Sequence, residues 1–212
     1  MSTYILTSMF PNGFDEKIAE RLAQIIVKRE KFAFVASEFE KIHEISDNYF
    51  KFFLNMFEEK GIYFKESYVV DGRMTPTEAQ KAVAEADVVW LSGGDTPTQF
   101  RYFKEYGLDS VIKSHNGVII GMSAGSINLA KTAICTVTCE HEKQEVYEAL
   151  GCVNFSVEPH FNREAVTNEL MELSKEHVIY GLCDDSIIVC TEGNVEYIGE
   201  VYKLSGGNVE KV

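Results

Sequence analysis

Residues 117–131 read GVIIGMSAGSINLAK, and this stretch decides the fold class. Gly117–Gly121 (GVIIG) is a short unbroken apolar run, the mark of a strand buried on both faces. From Ser123 to Lys131 the pattern turns helical. Between the two lies Gly121-Met122-Ser123-Ala124-Gly125, a G-x-S-x-G turn that carries the chain from strand into helix within a few residues. Its glycines permit a sharp bend and close approach of neighbouring elements, so the Ser123 hydroxyl projects from the C-terminal edge of a sheet. The start of the following helix aims unpaired N–H groups at the same spot. The pattern is short, and two readings stand: a reactive serine on an elbow, or a serine that only N-caps a helix behind a glycine turn.

Working outward, the same alternation repeats. Thr3–Ser8 reads as a strand, and Asp15–Arg29 as a helix with Ile18, Leu22, Ile25 and Ile26 on one face. Phe32–Ala36 is a strand, a helix lies within Ile42–Lys60, and Ile62–Val70 is a third strand. Thr75-Pro76-Thr77-Glu78 is a capping box with proline at the first helical position, opening a helix to Ala86. Asp87–Ser92 is another apolar strand, followed by helices at Thr98–Glu105 and Asp109–Ser114. Past Lys131 comes a less regular acidic stretch to Val157, then a helix at Arg163–Lys175 and strands at Val178–Cys183, Ser186–Thr191 and Glu196–Lys203. Short strands alternating with helices imply a mainly parallel sheet between helical layers. The expectation is one α/β domain over residues 1–212, a three-layer sandwich whose C-terminal strands form an antiparallel edge. A chain of this length buries about 70% of its unfolded surface without disulfides or a metal.

Composition narrows the partners. Apolar residues make up 45% and charged residues 25%, ordinary globular values, and the net charge is −13. That field repels phosphate backbones and anionic lipid, so neither nucleic acid nor a membrane surface is expected as a partner. No run approaches the about 18 apolar residues of a membrane span. The N-terminal segment lacks a basic region and meets Pro11 and Gly13 too early for a signal peptide. Five cysteines, an odd number at low density, fit free thiols and a cytoplasmic location. Cys135, Cys139 and His141 are close in sequence but lack a second pair of ligands, so no metal is expected.

Three further segments carry residue types suited to chemistry. Ser92-Gly93-Gly94-Asp95-Thr96-Pro97 is a second glycine turn between strand and helix. Its backbone N–H groups can converge on an anion. Asp95, and the lack of a following Lys-Ser/Thr pair, argue against a phosphate cradle; a plain turn capped by Asp95 or Thr96 is the alternative. Glu158-Pro159-His160-Phe161 places a histidine behind a stiffening proline at a strand end. Asp184 and Asp185 follow Gly181-Leu182-Cys183 at another strand end, where a carboxylate can orient a histidine or simply turn the chain. The chain order Ser123, His160, Asp184 is not that of an α/β-hydrolase, in which the acid precedes the histidine.

Together, Gly121–Ala130 (GMSAGSINLA), Ser92–Thr96 (SGGDT) and Pro159-His160-Phe161 resemble the peptidase E and cyanophycinase family of serine peptidases. The resemblance runs from the first strand to the C-terminal strands. It implies a class I glutamine amidotransferase-like fold with serine in place of cysteine. It also implies that Ser123 is the nucleophile, His160 its general base, and the Gly94 and Ala124 N–H groups the oxyanion hole. Where the family has a glutamate in a Gly-Leu-Pro-Glu segment, this chain has Gly181-Leu182-Cys183-Asp184, so the acid becomes the shorter Asp184. The family's stretch after Pro-His-Phe, which includes an arginine implicated in accepting an N-terminal aspartate, is trimmed here; Arg163 occupies the matching place.

The expectation from the resemblance is a serine peptidase acting through an acyl-enzyme on small peptides, with Asp-X dipeptides as the finer reading and no cofactor. The other reading is a non-catalytic module whose two N–H-rich turns hold a small anion or a partner segment. The oligomeric state stays open, a homo-oligomer included.

Overall fold

Strand and helix alternate through the first half of the chain in the computed structural model, which describes residues 2–212. The order is β1 (Thr3–Thr7), α1 (Glu16–Ile25), β2 (Lys31–Val35), α2 (His43–Glu59), β3 (Glu66–Val70), α3 (Pro76–Glu85) and β4 (Val88–Leu91). Then come α4 (Thr96–Glu105), α5 (Leu108–Ser114), β5 (Val118–Met122) and α6 (Ala124–Leu129). Local chemistry sets the helix starts. Asp15 accepts the Ile18 N–H at 2.7 Å to open α1, and the Thr75–Glu78 capping box forms reciprocally to open α3.

The second half adds β6 (Thr132–Cys135), β7 (Glu145–Glu148), β8 (Ser156–Pro159), α7 (Asn168–Glu176) and β9 (Ile179–Leu182). It ends with β10 (Ile187–Thr191), β11 (Asn194–Ile198), β12 (Val201–Ser205) and β13 (Asn208–Lys211). Among the described residues the main sheet has the order β11-β10-β1-β5-β4-β2-β3. Strands β3, β2, β4, β5 and β1 run parallel, while β10 and β11 form the antiparallel edge. Alternating side chains split the core between the two faces. Ile5, Phe32, Phe34 and Trp90 meet α1 and α2, with Phe57 packed edge-on to Trp90. Leu6, Val35 and Leu91 meet the helices of the other layer, among them Val83, Phe103 and Ile127.

The structure departs from the sequence expectations in ways that matter for the site. His160 and Asp184 do not follow strands of the main sheet. They follow β8 and β9, which pair in parallel within a separate sheet of order β13-β12-β9-β8. The expected strand Glu196–Lys203 is broken at Gly199, whose φ of 88° turns the chain out of the main sheet. A Cβ there would stand 2.7 Å from the Asp185 carbonyl oxygen, so β11 stays beside β10 while β12 crosses to β9. The expected helix Arg163–Lys175 begins only at Asn168, capped by Thr167. Arg163–Ala165 is a separate 3₁₀ turn capped by Asn162. The irregular acidic stretch contains the antiparallel pair β6–β7. The third strand starts at Glu66, because Ile62 is instead buried against α1 and α2.

Candidate active site

Ser123 joins β5 to α6 with its backbone at φ 49° and ψ −109°, a region that non-glycine residues rarely occupy. Packing explains the bend. A Cβ on Gly121 would stand 2.7 Å from the Gly125 carbonyl, and one on Gly125 would stand 2.3 Å from the Leu91 oxygen. Only glycine at both positions lets α6 lie directly on β4 and β5. Ser126 fastens the turn from below: its hydroxyl accepts the Thr7 N–H at 2.8 Å and lies 2.6 Å from the Gly121 carbonyl. The Ser123 N–H donates to the Thr7 carbonyl at 3.0 Å. Ser123 stands at the N-cap position of α6, yet its side chain makes no capping hydrogen bond. The hydroxyl is left for other partners, and the reading of a simple cap fails.

The second glycine turn lies alongside. Asp95 caps α4 by accepting the Thr98 N–H at 2.9 Å, as its residue type suggests. Gly94 sits at φ 139°, and a Cβ there would come within 2.2 Å of the Ser37 hydroxyl. A Cβ on Gly93 would stand 3.4 Å from that of Ser123, so this turn packs against the elbow. Among the described residues, neither the Gly94 nor the Ala124 N–H donates to a backbone carbonyl across the turns.

The small sheet delivers the other two groups. His160, at φ 54°, follows Pro159. Its neighbour Phe161 donates its N–H to the Leu182 carbonyl at 3.0 Å and lies over Gly181, where a Cβ would meet the ring at 2.4 Å. His160 Nε2 is 3.3 Å from the Ser123 Oγ, and Nδ1 is 3.0 Å from Asp184 Oδ1. Asp184 accepts, so Nδ1 carries the proton and Nε2 presents a lone pair to the serine. Asp185 turns away at φ 58°, donating its N–H to the Met9 carbonyl at 2.8 Å. Its buried Oδ1 has no partner among the described residues, and burial, with the Asp184 charge adding to it, pushes its carboxyl above the usual range.

One residue of this cluster escaped sequence reasoning. Ser8, fully buried just past β1, accepts the His160 backbone N–H at 2.7 Å and donates to Asp184 Oδ1 at 2.6 Å. It also lies 3.2 Å from His160 Nδ1. A lone serine at a strand end carries no local signal of such a position.

Two clefts open on either side of Ser123, both bordered by Gly94 and His160. The larger, about 520 Å³, is lined by the loop after β6 and by Asp95, Glu140, Glu142 and Glu145. Its lysine, Lys143, is paired with Glu145 at 2.5 Å. The smaller, about 240 Å³, is walled mainly by apolar side chains. Arg163 is exposed on its 3₁₀ turn and lines neither cleft, so the structure does not bring it to the serine. Cys135, Cys139 and His141 gather at the larger cleft, but both ring nitrogens of His141 are engaged, with Thr96 at 2.9 Å and the Thr136 carbonyl at 3.1 Å.

Beneath that loop lies Glu158, buried in β8. It accepts from the Thr136 hydroxyl at 2.7 Å while its other oxygen has no partner among the described residues. Burial pushes its carboxyl up to about 8.

A hydroxyl, an imidazole and a carboxylate in series beside two turns with available N–H groups have the geometry for acyl transfer. Comparisons with known proteins agree in kind. The sequence profile of peptidase family S51 matches residues 6–198, and no curated protein matches the chain. Among solved structures, a peptidase from an acI-B1 Actinobacterium is similar with a TM-score of 0.73 at 18% identity, covering 100% of this chain and 94% of that one. A candidate peptidase E protein from Listeria monocytogenes EGD-e gives 0.68 at 18% identity, covering 93% and 98%. The two structures share the fold, and the profile spans nearly the whole chain. On that match the chain belongs to peptidase family S51, a family of serine-type peptidases.

Proposed function

We propose that this serine peptidase hydrolyses short peptides through an acyl-enzyme on Ser123, with His160 as base and Asp184 as the orienting acid. The observation that carries the reading is the series from Ser123 Oγ through His160 to Asp184, at 3.3 Å and 3.0 Å. The Asp184 carboxylate holds the Nδ1 proton, so Nε2 takes the Ser123 proton as Oγ attacks the scissile carbonyl. The carbonyl oxygen becomes an oxyanion beside the Gly94 and Ala124 N–H groups. His160 Nε2 returns the proton to the leaving amine, and water attacks the ester by the same route. No step draws on a metal or a cofactor.

The finer reading of Asp-X dipeptides requires a cation at the substrate side chain. Arg163 supplies one only if its turn swings inward, and the carboxylates of the larger cleft oppose an acidic side chain there.

A fluorophosphonate probe tests the mechanism. Peptide mapping by mass spectrometry is expected to find the adduct on Ser123, and Ser123→Ala is expected to lose labelling and at least about 10³-fold in turnover while staying folded. Labelling of another residue, or undiminished turnover in the variant, would overturn the assignment.

A further inference from the structure

The smaller cleft points to a substrate class, given the proposed Ser123 mechanism on which this inference rests. Its wall is built from Met9 after β1, Phe34 of β2, Ile42, Ile45 and Phe53 of the α2 region, and Met122 of β5. The polar groups on it are serine hydroxyls, the Tyr49 side chain and His160; among the described residues no Lys, Arg, Asp or Glu lines it. Ile45 and Tyr49 stand at its rim and remain 49% and 50% exposed. They are large apolar side chains left in water beside the reactive serine, where burial by a ligand is favourable.

The cleft reaches Gly93, Gly94, Ser123 and His160, so an occupant lies next to the scissile bond. Its volume of about 240 Å³ has room for a long aliphatic or aromatic side chain. An aspartate placed there would lose its hydration without gaining a cation. On the opposite side, Lys143 is already held by Glu145 among the other carboxylates. An acidic side chain is therefore unfavourable in both clefts.

We infer that the cleft between α2 and the Ser123 turn is a specificity subsite for a large apolar side chain flanking the scissile bond. Leucine- and phenylalanine-containing dipeptides are then better substrates than their alanine or aspartate counterparts. Filling an apolar pocket distinguishes side chains by about 10–100-fold in kcat/KM.

The test uses a dipeptide library with Leu, Phe, Ala, Asp and Lys at each position, followed by mass spectrometry, on the wild type and on Ile45→Asp. Ile45 is half-exposed at the rim, so the change places a charge at the cleft mouth without emptying the core. The expected result is a Leu or Phe preference of at least about ten-fold at one position, with KM accounting for most of its loss in Ile45→Asp while Ser123 still accepts the probe. A preference for Asp, or an unchanged Leu-to-Ala ratio in Ile45→Asp with Ser123 labelled, overturns the apolar subsite and leaves the serine mechanism standing. Failure of the probe to label wild-type Ser123 overturns both.

Discussion

Removing the Ser8 hydroxyl tests whether the strand end beneath the site positions His160. In Ser8→Ala the 3.2 Å contact with His160 Nδ1 disappears together with two shorter hydrogen bonds. The His160 N–H loses its acceptor at 2.7 Å, and an unpaired, partly buried donor costs about 1–3 kcal/mol. The Asp184 carboxylate loses a donor at 2.6 Å, a charged hydrogen bond of about 1.5–3 kcal/mol. Part of the loss falls on stability and part on the orientation of the imidazole. If about 1.4–3 kcal/mol of it appears in the transition state, kcat falls about 10–100-fold, while KM stays within about two-fold because Ser8 lies beneath the site, lining neither cleft. Ser8→Cys, which keeps a weak donor and acceptor, should fall between the two. The assay is steady-state kinetics on the best peptide of the library, with folding followed by circular dichroism. A kcat within two-fold of wild type, or a loss confined to KM, would refute the positioning argument even if the variant melted early.

Two other predictions concern acidic groups. Asp184→Asn should cost about 10³–10⁴-fold in kcat, as loss of the acid does in a well-studied triad; Asp185→Asn, which lies on the far side of the turn, should stay within a few-fold, and the reverse ranking in a kinetic comparison would move the acid by one position. Glu158→Gln should flatten the pH dependence of stability. Because its folded-state value, about 8, lies above that of the unfolded chain, the unfolded form releases the proton first and wild-type stability falls as pH rises from about 4.5 to about 8. Each unit counts about 1.4 kcal/mol, an upper bound of about 5 kcal/mol, which the variant lacks. Urea unfolding at pH 5 and pH 8 gives the comparison, and parallel slopes for the two proteins would show that Glu158 is not held neutral.

Periodicity and turn chemistry carry most of the central sheet: GVIIG, the Thr75 capping box and the Asp95 turn each lie where their local sequence places them. Local reading falls short where a residue's partner is distant in the chain. β8, with the sequence Ser-Val-Glu-Pro, carries no apolar run to mark it as a strand, β9 reads like a main-sheet strand, and the turn at Gly199 takes β12 to β9. Glu158 alternates like any strand residue, and nothing around it announces that it is buried with one oxygen unpaired. Arg163 sits at a suitable sequence distance from His160, but the Asn162-capped turn faces it to solvent. Ser8 is 152 positions from the histidine it holds, a separation that no periodicity bridges.

That separation also explains how the site keeps its shape. Among the described residues, four non-glycine ones have positive φ: Ser123, Glu140, His160 and Asp185. All are at or next to the clefts, and such conformations cost of order 1–3 kcal/mol each and persist only where their surroundings over-determine them. Three of them are tied to one short segment. The Ser123 N–H donates to the Thr7 carbonyl at 3.0 Å, the His160 N–H to the Ser8 hydroxyl at 2.7 Å, and the Asp185 N–H to the Met9 carbonyl at 2.8 Å. Consecutive residues at the end of β1 thus anchor three strained turns that come from two different sheets. β1 is itself clamped between β5 and β10 in the main sheet, so the segment has little freedom to follow any one turn. The main sheet supplies the serine, the small sheet supplies the histidine and the acid, and Thr7-Ser8-Met9 fixes their separation. The shorter Asp184 still reaches His160 Nδ1 at 3.0 Å, because the Ser8 hydroxyl that accepts the His160 backbone N–H also donates to its carboxylate and so ties the two turns to one point.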